Sequence, residues 1–300
     1  MEAFMQHVAD FGLSYGTIEE FNFRKAIFDL VDVELNLINA EQSSFTVAHN
    51  KFSTWTDAEH KRRLGYTASI FPKEFSEDVQ SNASSVNWVT AGAVTSVKNQ
   101  EACGSCWSFS TSGAMEGSHK IAGGSLENFS QQQLVNCSTR NNGCNGGNMD
   151  LAFKYYENNY AILASDYPYV SGTGDDSQSC KYSSKPHTNV KCTGIKDVIP
   201  NYPQKLKDSI AVGPTSVAIQ ADKRVFQNYS SGVLDSTLCG TNLDHAVLAV
   251  GYGTEGGQEY ILVKNSWGTS WGDQGYIKIA SVSGAGICGI NMDPVRPSSN

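Results

Sequence analysis

One short run of the sequence carries two cysteines and a tryptophan within five positions, Cys103-Gly104-Ser105-Cys106-Trp107. The residues that follow, rich in Ala, Met and Ser, are compatible with a helix that starts at Cys106. A cysteine at a helix N-terminus has its thiolate form favoured by the helix dipole, and the thiolate is the nucleophile. The alternative use of such a cysteine pair is redox chemistry or zinc binding, but no second close pair at zinc spacing follows. We therefore expect Cys106 to be a nucleophile.

Six histidines compete to be the proton partner of this nucleophile. His119 would lie about 20 Å from Cys106 along the helix, at about 1.5 Å per residue, which is too far for contact. His187 lies in a polar stretch without a recognisable companion, which favours a surface loop. His245 differs because it opens the apolar run AVLAVGYG, typical of a buried strand that presents a polar side chain at its end. We expect His245 to be the partner, with a packed core histidine as the alternative.

An asparagine completes the candidate site. Asn265 lies in the run VKNSWGTSWG, and its amide oxygen is suited to accept the ring proton of His245 and to fix the orientation of the imidazole. Alone, an Asn-Ser-Trp-Gly string proves little. Together with Cys106 and His245 it predicts a nucleophile, a proton carrier and an orienting group, the set that acyl transfer requires.

The elements that must position these residues divide the chain into two unlike parts. All eight cysteines lie between Cys103 and Cys288, and none occurs in the first 102 residues. Residues 1–82 hold 7 Lys and Arg against 13 Asp and Glu, whereas residues 83–300 hold 15 against 17. A chain of 300 residues with 40% hydrophobic content can bury an ample core in one to three domains. The number of cysteines indicates export from the cytosol.

The front part has a helical pattern. Apolar residues recur mainly three or four apart between Phe21 and Ile38, in a stretch without Gly or Pro, which predicts a long amphipathic helix. Residues 67–86 are polar and rich in Ser and Asn, so we expect an extended connector that a protease can reach. β-rich runs such as YILVKNSW and GYIKIA dominate the last third. The sequence thus predicts an α+β fold, with helices early and strands late in the second part.

Composition argues against several classes of partner. The formal charge of −8 and the absence of a Lys/Arg-rich run disfavour nucleic acid and anionic membrane surfaces. No stretch reaches the roughly 18 consecutive apolar residues of a membrane span, and the N-terminal residues lack the apolar core of a signal peptide. We expect a peptide or small-molecule ligand, and the chemistry above requires no metal or organic cofactor.

These motifs resemble the papain family of cysteine proteases and, within it, the cathepsin L-like branch. Residues 83–300 are similar to the mature enzyme, and residues 4–66 to its inhibitory propeptide. His245 lies 139 positions after Cys106, within the spacing of about 130–150 that is typical of the family. The resemblance implies a papain-like two-domain fold with a helical left domain and a β-barrel-like right domain. It also implies a propeptide over residues 1–82, helical to about residue 66 and extended over 67–82.

The resemblance also implies roles for individual residues. Gln100 contributes its side-chain amide, with the Cys106 backbone N–H, to an oxyanion hole, a donor worth about 2.7–4 kcal/mol in the transition state. Trp267 screens the hydrogen bond between Asn265 and His245 from water. The Cys106 thiolate attacks a peptide carbonyl, the His245 imidazolium protonates the leaving amine, and water hydrolyses the thioester. The implied activity is that of an endopeptidase, since the resemblance includes no inserted histidine-bearing loop that would block the cleft.

A specificity pocket is implied by the same resemblance. It receives the second residue before the cut bond, and its lining is apolar except for Asp293 at the far end. This carboxylate is suited to pair with a guanidinium, which would allow Arg beside Phe or Leu; the alternative is a turn cap before Pro294. The implied substrate-binding residues are Gly146, Gly147, Met149, Ala218, Leu243, Asp244, Ala246, Trp267, Trp271 and Asp293.

The propeptide resemblance is less complete. The helical motif of the family, Glu-x3-Arg-x3-Phe-x2-Asn-x3-Ile-x3-Asn, is met in order by Glu20, Arg24, Phe28, Val31, Leu35 and Asn39. Val31 departs from the motif, and Thr54 replaces the acidic residue of a second motif, which puts in doubt a pH trigger at that position. We expect acidification to weaken the propeptide's grip through other groups, with cleavage within residues 76–85. A structural arm is the alternative interpretation of this helix.

The family also implies a cysteine pairing. The implied disulfides are Cys103 with Cys144, Cys137 with Cys180, and Cys239 with Cys288. Cys192 is then left over, either as a buried thiol or as one that pairs with another molecule. Four Asn-x-Ser/Thr sequons are compatible with secretion: Asn82, Asn128, Asn136 and Asn228.

The partners implied are protein and peptide substrates and the chain's own propeptide, within a monomeric protein that is secreted or lysosomal. Two other classes stay open. One is a protease-shaped inhibitor whose N-terminal segment occupies partner enzymes, although the presence of all four catalytic residues counts against it. The other is a Cys/His acyltransferase or transglutaminase-like enzyme on another fold.

Overall fold

The computed structural model describes residues 1–70, 72–76 and 79–300. The α-helices are α1 (Glu2–Asp10), α2 (Ile18–Glu41), α3 (Asp57–Lys61), α4 (Cys106–Ile121), α5 (Gln131–Cys137), α6 (Met149–Asn158), α7 (Pro203–Val212) and α8 (Arg224–Gln227). The strands are β1 (Phe45–Val47), β2 (Val86–Asn87), β3 (Cys192–Asp197), β4 (Thr215–Ile219), β5 (Tyr229–Leu234), β6 (His245–Glu255), β7 (Gln258–Lys264), β8 (Tyr276–Ala280) and β9 (Val295–Ser299). Short 3-10 helices lie at Gly143–Asn145, Ser171–Thr173, Tyr182–Ser184, Thr237–Cys239 and Ile287–Gly289.

The N-terminal segment, defined here as residues 1–82, is built on the long helix α2. This helix begins where the Thr17 hydroxyl accepts a hydrogen bond from the Glu20 backbone N–H at 3.1 Å, which satisfies one of the free donors of the first turn. Its buried side chains belong to the apolar set that the periodicity predicted: Phe28, Val31 and Leu35.

Two contacts fix the rest of the N-terminal segment. Arg24 on α2 donates from both terminal nitrogens to the Glu59 carboxylate on α3, at 2.6 and 2.7 Å, which is the strong bidentate form of an ion pair. Strand β1 pairs antiparallel with β5 of the C-terminal part. The segment is therefore joined to the rest of the molecule by a shared sheet.

The strands form an open sheet in the order β1-β5-β8-β7-β6-β4-β9-β3, with β2 paired to β6. Every pair in it is antiparallel except β5 with β8, which is parallel. Strand β6 lies between two hydrophobic cores because successive side chains of a strand point to opposite faces. Val247 and Ala249 belong to one core, and Leu248 and Val250 to the other.

The second of these cores is the helical one. It contains Met115 of α4, Leu134 of α5 and Phe153 of α6, packed with Leu248 and Val250 of β6. Helices thus come early and strands late in residues 83–300, as the sequence predicted. The helical core and the sheet meet where the N-terminal ends of α4 and β6 lie together.

Three disulfides are present, and they are the pairs that the family resemblance implies: Cys103–Cys144, Cys137–Cys180 and Cys239–Cys288. Cys106 and Cys192 are free and buried. No helix in the described part of the chain combines the length and the apolarity needed to cross a bilayer.

Candidate active site

Cys106 is the first residue of α4, and its side chain is fully buried. The loop that leads into the helix is held by the Cys103–Cys144 disulfide and by the Gly104 N–H, which donates to the Cys144 carbonyl at 3.0 Å. Trp107, also fully buried, donates its ring N–H to the Gly143 carbonyl at 3.1 Å. These contacts leave the sulfur of Cys106 at the junction of the helical part and the sheet.

His245 is the first residue of β6 and lies opposite Ile219 of β4 in the sheet register. Its Nε2–H donates to Asn265 Oδ1 at 2.9 Å, while its Nδ1 has no hydrogen-bond partner. The next residue, Ala246, donates its backbone N–H to Cys106 Sγ at 3.4 Å. The start of β6 therefore lies against the start of α4, with the three predicted residues Cys106, His245 and Asn265 at one place.

Trp267 covers this arrangement. Its side chain is only 1% exposed, and its ring lies 4.7 Å from the His245 ring between centroids. Trp271 packs against Trp267 at 5.4 Å and donates its ring N–H to the Gln227 carbonyl at 3.0 Å. Two buried indoles thus keep water from the His245–Asn265 hydrogen bond.

The Gln100 amide is fully buried beside Cys103 and the N-terminal segment. Its Nε2 donates to the carbonyl oxygens of Cys103 and Arg63, at 2.8 Å each. Its Oε1 accepts from the Ser266 hydroxyl at 2.7 Å, which fixes the direction in which the amide N–H groups point. The Arg63 carbonyl of the N-terminal segment therefore accepts a hydrogen bond from the Gln100 amide, a donor that is suited to bind an oxyanion.

The N-terminal segment runs through the cleft next to Cys106. The Gly147 N–H donates to the Gly65 carbonyl at 2.8 Å, and the Thr67 N–H donates back to the Gly147 carbonyl at 2.9 Å. The Tyr66 N–H donates to the Asp244 carbonyl at 3.0 Å. Residues 65–67 are thus bound through backbone hydrogen bonds, in a parallel bridge between Tyr66 and Gly147.

Only glycine fits at two points of this contact. A Cβ on Gly65 would lie 1.8 Å from the Gly104 carbonyl oxygen, so any side chain there would collide with the loop before α4. Gly146 has a φ of +113°, in the region that favours glycine, and a Cβ there would approach the Gly65 carbonyl oxygen at 3.1 Å. The close approach of segment and loop depends on both residues.

Tyr66 packs against the same core as the residues that the resemblance implied for the specificity pocket. Tyr66 and Leu243 both pack against a buried cluster that includes Met149, Ala218 and Ala246. The Tyr66 hydroxyl donates to Asp293 Oδ2 at 2.6 Å. A side chain of the N-terminal segment therefore joins this core at one end and meets Asp293 at the other.

Burial sets the protonation of the two reactive groups in this covered state. It raises the pKa of the Cys106 thiol to about 11, although the N–H groups of Ala246, Gly65 and Trp107 act in the opposite direction. Burial also lowers the pKa of His245 to about 3, against the stabilising bond to Asn265, and the nearby Arg63 cation lowers it further. We expected the dipole of α4 to favour the thiolate, but here desolvation outweighs it. Both groups are neutral near pH 7.

The other candidate histidines lie elsewhere. His119 Nδ1 lies 2.6 Å from the Asn300 carbonyl oxygen near the far end of α4, and the exposed His187 stacks on Tyr182 at 4.0 Å between centroids. Among the described residues, no group of three or more His, Cys, Asp or Glu side chains is arranged to hold a metal ion.

Two residues near the site, Arg63 and Lys73, were not indicated by any sequence pattern. The Arg63 guanidinium is buried between the rings of Phe52, at 3.5 Å, and Trp267, at 3.7 Å. Lys73 reaches Asp293 from the connector and also contacts Asp150. Arg63 and Tyr66 lie within the run KRRLGY, and no local pattern marked this run as the segment that lies beside Cys106.

Comparison with known proteins identifies the class. The family described as papain family cysteine protease matches residues 82–298 of this chain. The chain belongs to that family and is a cysteine protease, a hydrolase.

The proteins that it resembles include named cysteine proteases and precursors. Cysteine protease XCP2 of Arabidopsis thaliana is 40% identical, with 97% of this chain and 84% of that protein covered. Digestive cysteine proteinase 3 of Homarus americanus is 41% identical, with 96% and 92% covered. Among solved structures, digestive procathepsin L2 of the Tenebrio molitor larval midgut superimposes with a TM-score of 0.89 at 34% identity, with 99% of each chain covered. The recombinant stem bromelain precursor gives 0.86 at 34% identity, with 99% and 98% covered.

Proposed function

We propose that this chain is the latent proenzyme of a cysteine endopeptidase, with residues 1–82 as its inhibitory propeptide and residues 83–300 as its peptidase domain. The observation that carries the proposal is the path of residues 65–67 across the cleft beside Cys106. The N–H and the C=O of Gly147 both form hydrogen bonds to that path, so neither group is free to bind the backbone of a substrate. The similarity to precursor structures over the full chain supports the same conclusion.

Latency has a second, electrostatic component. An ion pair between a thiolate and an imidazolium needs the Cys106 pKa below the His245 pKa, and the buried state reverses that order, at about 11 and about 3. Removal of the propeptide would admit water and take away the Arg63 cation, and both changes favour the ion pair. The propeptide therefore blocks the groove and also keeps the nucleophile protonated.

The processed enzyme works by acyl transfer. The Cys106 thiolate forms a bond to the carbonyl carbon of the peptide, and the Gln100 amide and the Cys106 backbone N–H stabilise the oxyanion. His245 gives the proton on Nδ1 to the departing amine as the C–N bond breaks, while Asn265 holds Nε2. Water, deprotonated by the same imidazole, then attacks the thioester and releases the acid and the thiol. Protein and peptide chains are the substrates, in an acidic vesicle or outside the cell.

Specificity follows from the carboxylate at the pocket end. Asp293 accepts a hydrogen bond from a phenol in the latent state, and a guanidinium from a substrate would gain a charge-assisted bond there. We expect Arg to be accepted beside Phe and Leu. Peptide substrates ending in Phe-Arg and Arg-Arg, tested on the processed wild type and on Asp293→Ala, distinguish this from a turn cap, which would lower both rates equally.

Acid processing with a thiol probe tests the proposal as a whole. The full chain is incubated at about pH 4.5, its new N-terminus is sequenced, and peptide hydrolysis is measured before and after alkylation. We expect a start within residues 76–85 and activity that alkylation of Cys106 abolishes. Cys192→Ala is the matched control, since Cys192 is the other free and buried cysteine. Activity that survives labelling of Cys106, or a start beyond Gln100, would refute the proposal.

A further inference from the structure

One residue of the connector, Ser81, is held by the peptidase domain through its backbone N–H, its carbonyl and its hydroxyl. The N–H donates to Asp208 Oδ1 at 2.9 Å, and the carbonyl accepts from the Gln204 amide at 3.4 Å. The hydroxyl lies 2.9 Å from the Tyr252 hydroxyl. Gln204 and Asp208 belong to α7, and Tyr252 belongs to β6. Ser81 is therefore an anchor point of the connector on the peptidase domain.

The peptide bond before Ser81 joins an exposed residue to this anchor. Val79 is 90% exposed, and Gln80 is exposed as well. Hydrolysis of the bond between Gln80 and Ser81 adds one water, leaves a carboxylate on Gln80 and turns the Ser81 nitrogen into an α-ammonium group. An α-amino group is protonated below about pH 8. The donor beside Asp208 would thus change from a neutral N–H to a cation at the same place.

Asp208 has an acceptor that the latent chain leaves unfilled. Its side chain is 1% exposed, and its Oδ2 has no hydrogen-bond donor among the residues that the structure describes. Its Oδ1 accepts from the Ser81 N–H and from the Gln204 amide, which are both uncharged donors. A buried carboxylate oxygen without a donor is costly. A peptide N–H carries one hydrogen, whereas an ammonium group carries three and is able to serve both oxygens.

We propose that Asp208 is the binding site for the new α-ammonium group of the processed chain, formed when the bond between Gln80 and Ser81 is cut. The ammonium donates to both oxygens of Asp208, and the Ser81 hydroxyl keeps its contact with Tyr252. Such a charge-assisted bond is stronger than the neutral bond that it replaces. The inference rests on the proposed function, because it needs the N-terminal segment to be removed, and it deepens that function by naming the cut that stabilises the peptidase domain.

The site would make stability depend on the residue at which the processed chain starts. Tyr252 holds Ser81 through its hydroxyl, and its backbone pairs with Val86 of β2. Capture of the Ser81 ammonium would therefore hold the exposed residues 82–85 at both ends. In a chain that starts at Asn82, the ammonium lies one residue further on, a step of about 3.3–3.6 Å, and it leaves Asp208 without its partner.

The test compares two defined starts made from the full chain. Gln80→Arg gives trypsin a cut site directly before Ser81, and Ser81→Arg gives one directly before Asn82. After acid release of the cut segment and inhibition of trypsin, mass spectrometry checks each start and thermal unfolding gives its Tm. We expect the chain that starts at Ser81 to melt about 4 °C or more above the chain that starts at Asn82.

Two variants assign this difference to the carboxylate. Asp208→Asn keeps an oxygen that accepts the Ser81 N–H but removes the charge. It should therefore lower the Tm of the chain that starts at Ser81 to that of the chain that starts at Asn82, with a smaller effect on the uncut chain. Asp175→Asn, at an exposed aspartate, is the matched control and should change neither.

Periodate observes the new terminus directly. It cleaves an N-terminal serine through the amine and the adjacent hydroxyl together, and in the proposed state both groups of Ser81 are bound. Oxidation of Ser81 in the folded chain should be at least about tenfold slower than in the same chain with Asp208→Asn, as loss of a charge-assisted bond allows. Mass spectrometry follows the reaction, and the unfolded chains should react at equal rates.

The outcomes separate this site from the proposed function. Equal Tm values for the two starts, or equally fast oxidation of Ser81 with and without Asp208→Asn, would overturn the binding site. Peptide hydrolysis by the cut chains, before and after alkylation of Cys106, is measured in parallel and shows that each variant is folded. Absence of alkylation-sensitive hydrolysis in a chain that still shows capture of Ser81 would overturn the proposed function and leave the binding site intact.

Discussion

Three disulfides cross-link the peptidase domain, whereas the N-terminal segment has no cysteine and packs its helices around histidine rings. The His7 ring lies 4.9 Å from the Phe28 ring and 5.7 Å from the His49 ring. The His60 ring lies 6.1 Å from Phe52 and accepts a hydrogen bond from Arg63 at 3.1 Å. The two regions therefore differ in how they respond to acid.

The direction of that response follows from the pKa shifts. Burial lowers the pKa of His7 to about 4 and that of His60 to about 2, so both rings are neutral when folded. The unfolded segment takes up these protons near pH 6.5, and the folded form loses stability as the pH falls below that value. The bond to Arg24 lowers the pKa of Glu59 to about 2, so its contribution is lost only as the pH falls below about 4.5. The histidines act first, and the peptidase domain keeps its covalent cross-links throughout.

The largest effect is expected where the two regions meet at the Gln100 amide. Gln100→Ala in the processed enzyme removes a donor to the oxyanion, and kcat should fall by about 10²–10³-fold with little change in KM. Steady-state kinetics measure both constants. Gln178→Ala, at an exposed glutamine of the same domain, should retain wild-type kcat. A rise in KM with an unchanged kcat would contradict the assigned role.

The contact of the segment with the cleft is broken most directly at Gly65. Because a Cβ there would lie 1.8 Å from the Gly104 carbonyl oxygen, Gly65→Ala should force residues 65–67 out of place at a cost of about 1–3 kcal/mol. Alkylation of Cys106 in the intact chain at pH 7 should become about 10–100-fold faster. Gly16→Ala, where a Cβ meets nothing within 4 Å, is the control in the same segment. Equal alkylation rates in both variants would show that the close approach is unimportant.

The response of the N-terminal segment to acid is tested most directly at His7. This ring is buried among aromatic side chains and its Nε2 has no hydrogen-bond partner, so phenylalanine replaces it with little loss of contact. His7→Phe should stabilise the segment by about 1 kcal/mol at pH 5, since no proton is then gained on unfolding. The pH of half-activation should move downward, and the exposed His187→Phe should leave it in place. An upward shift would mean that His7 stabilises the folded segment at acid pH.

The smallest effect concerns the pH dependence of the preference for the Arg-Arg substrate over the Phe-Arg substrate. Burial raises the pKa of Asp150 to about 6; Lys73 acts against this, Asp293 and Asp197 add to it, and the Tyr66 phenol faces the same carboxylates. After processing, the loss of the Lys73 charge moves the pKa higher still. The ratio of kcat/KM for the Arg-Arg substrate over the Phe-Arg substrate should therefore rise severalfold between about pH 5 and about pH 7.5. A ratio that is flat with pH would mean that Asp150 does not titrate in this range.

Local patterns were sufficient to predict the main parts of the site. Cys106 opens a helix and His245 opens a strand, and both elements were visible in the residues that follow. The burial of Cys106 by a distant segment was not visible, and this burial sets its pKa in the latent chain. The replacement of the family's acidic residue by Thr54 has a simple structural counterpart: Arg24 donates to the Thr54 carbonyl, which any residue supplies, and pairs with Glu59 instead.

The contacts of Lys73 with Asp150, Asp197 and Asp293 could not have been predicted. Lys73 and Asp293 are 220 residues apart, and each lies in a stretch without helical or strand periodicity. Ion pairs between distant residues depend on the completed fold, whereas propensity and periodicity report only on neighbours along the chain. The sequon at Asn228 is a similar case, because its side chain is buried and donates to the Ala48 carbonyl and the Ser53 hydroxyl of the N-terminal segment.

Strand β1 is the outermost strand of the sheet at one side, and it belongs to the segment that we propose processing removes. Its loss would leave the backbone N–H and C=O groups of β5 that face β1 without partners, while those that face β8 stay paired. Strand β5 would then be an exposed edge strand, to which another extended chain can pair. At high concentration the processed protein would then be prone to strand exchange and aggregation. In the latent form, β1 covers this edge and prevents both. The propeptide would thus protect the stored precursor against aggregation.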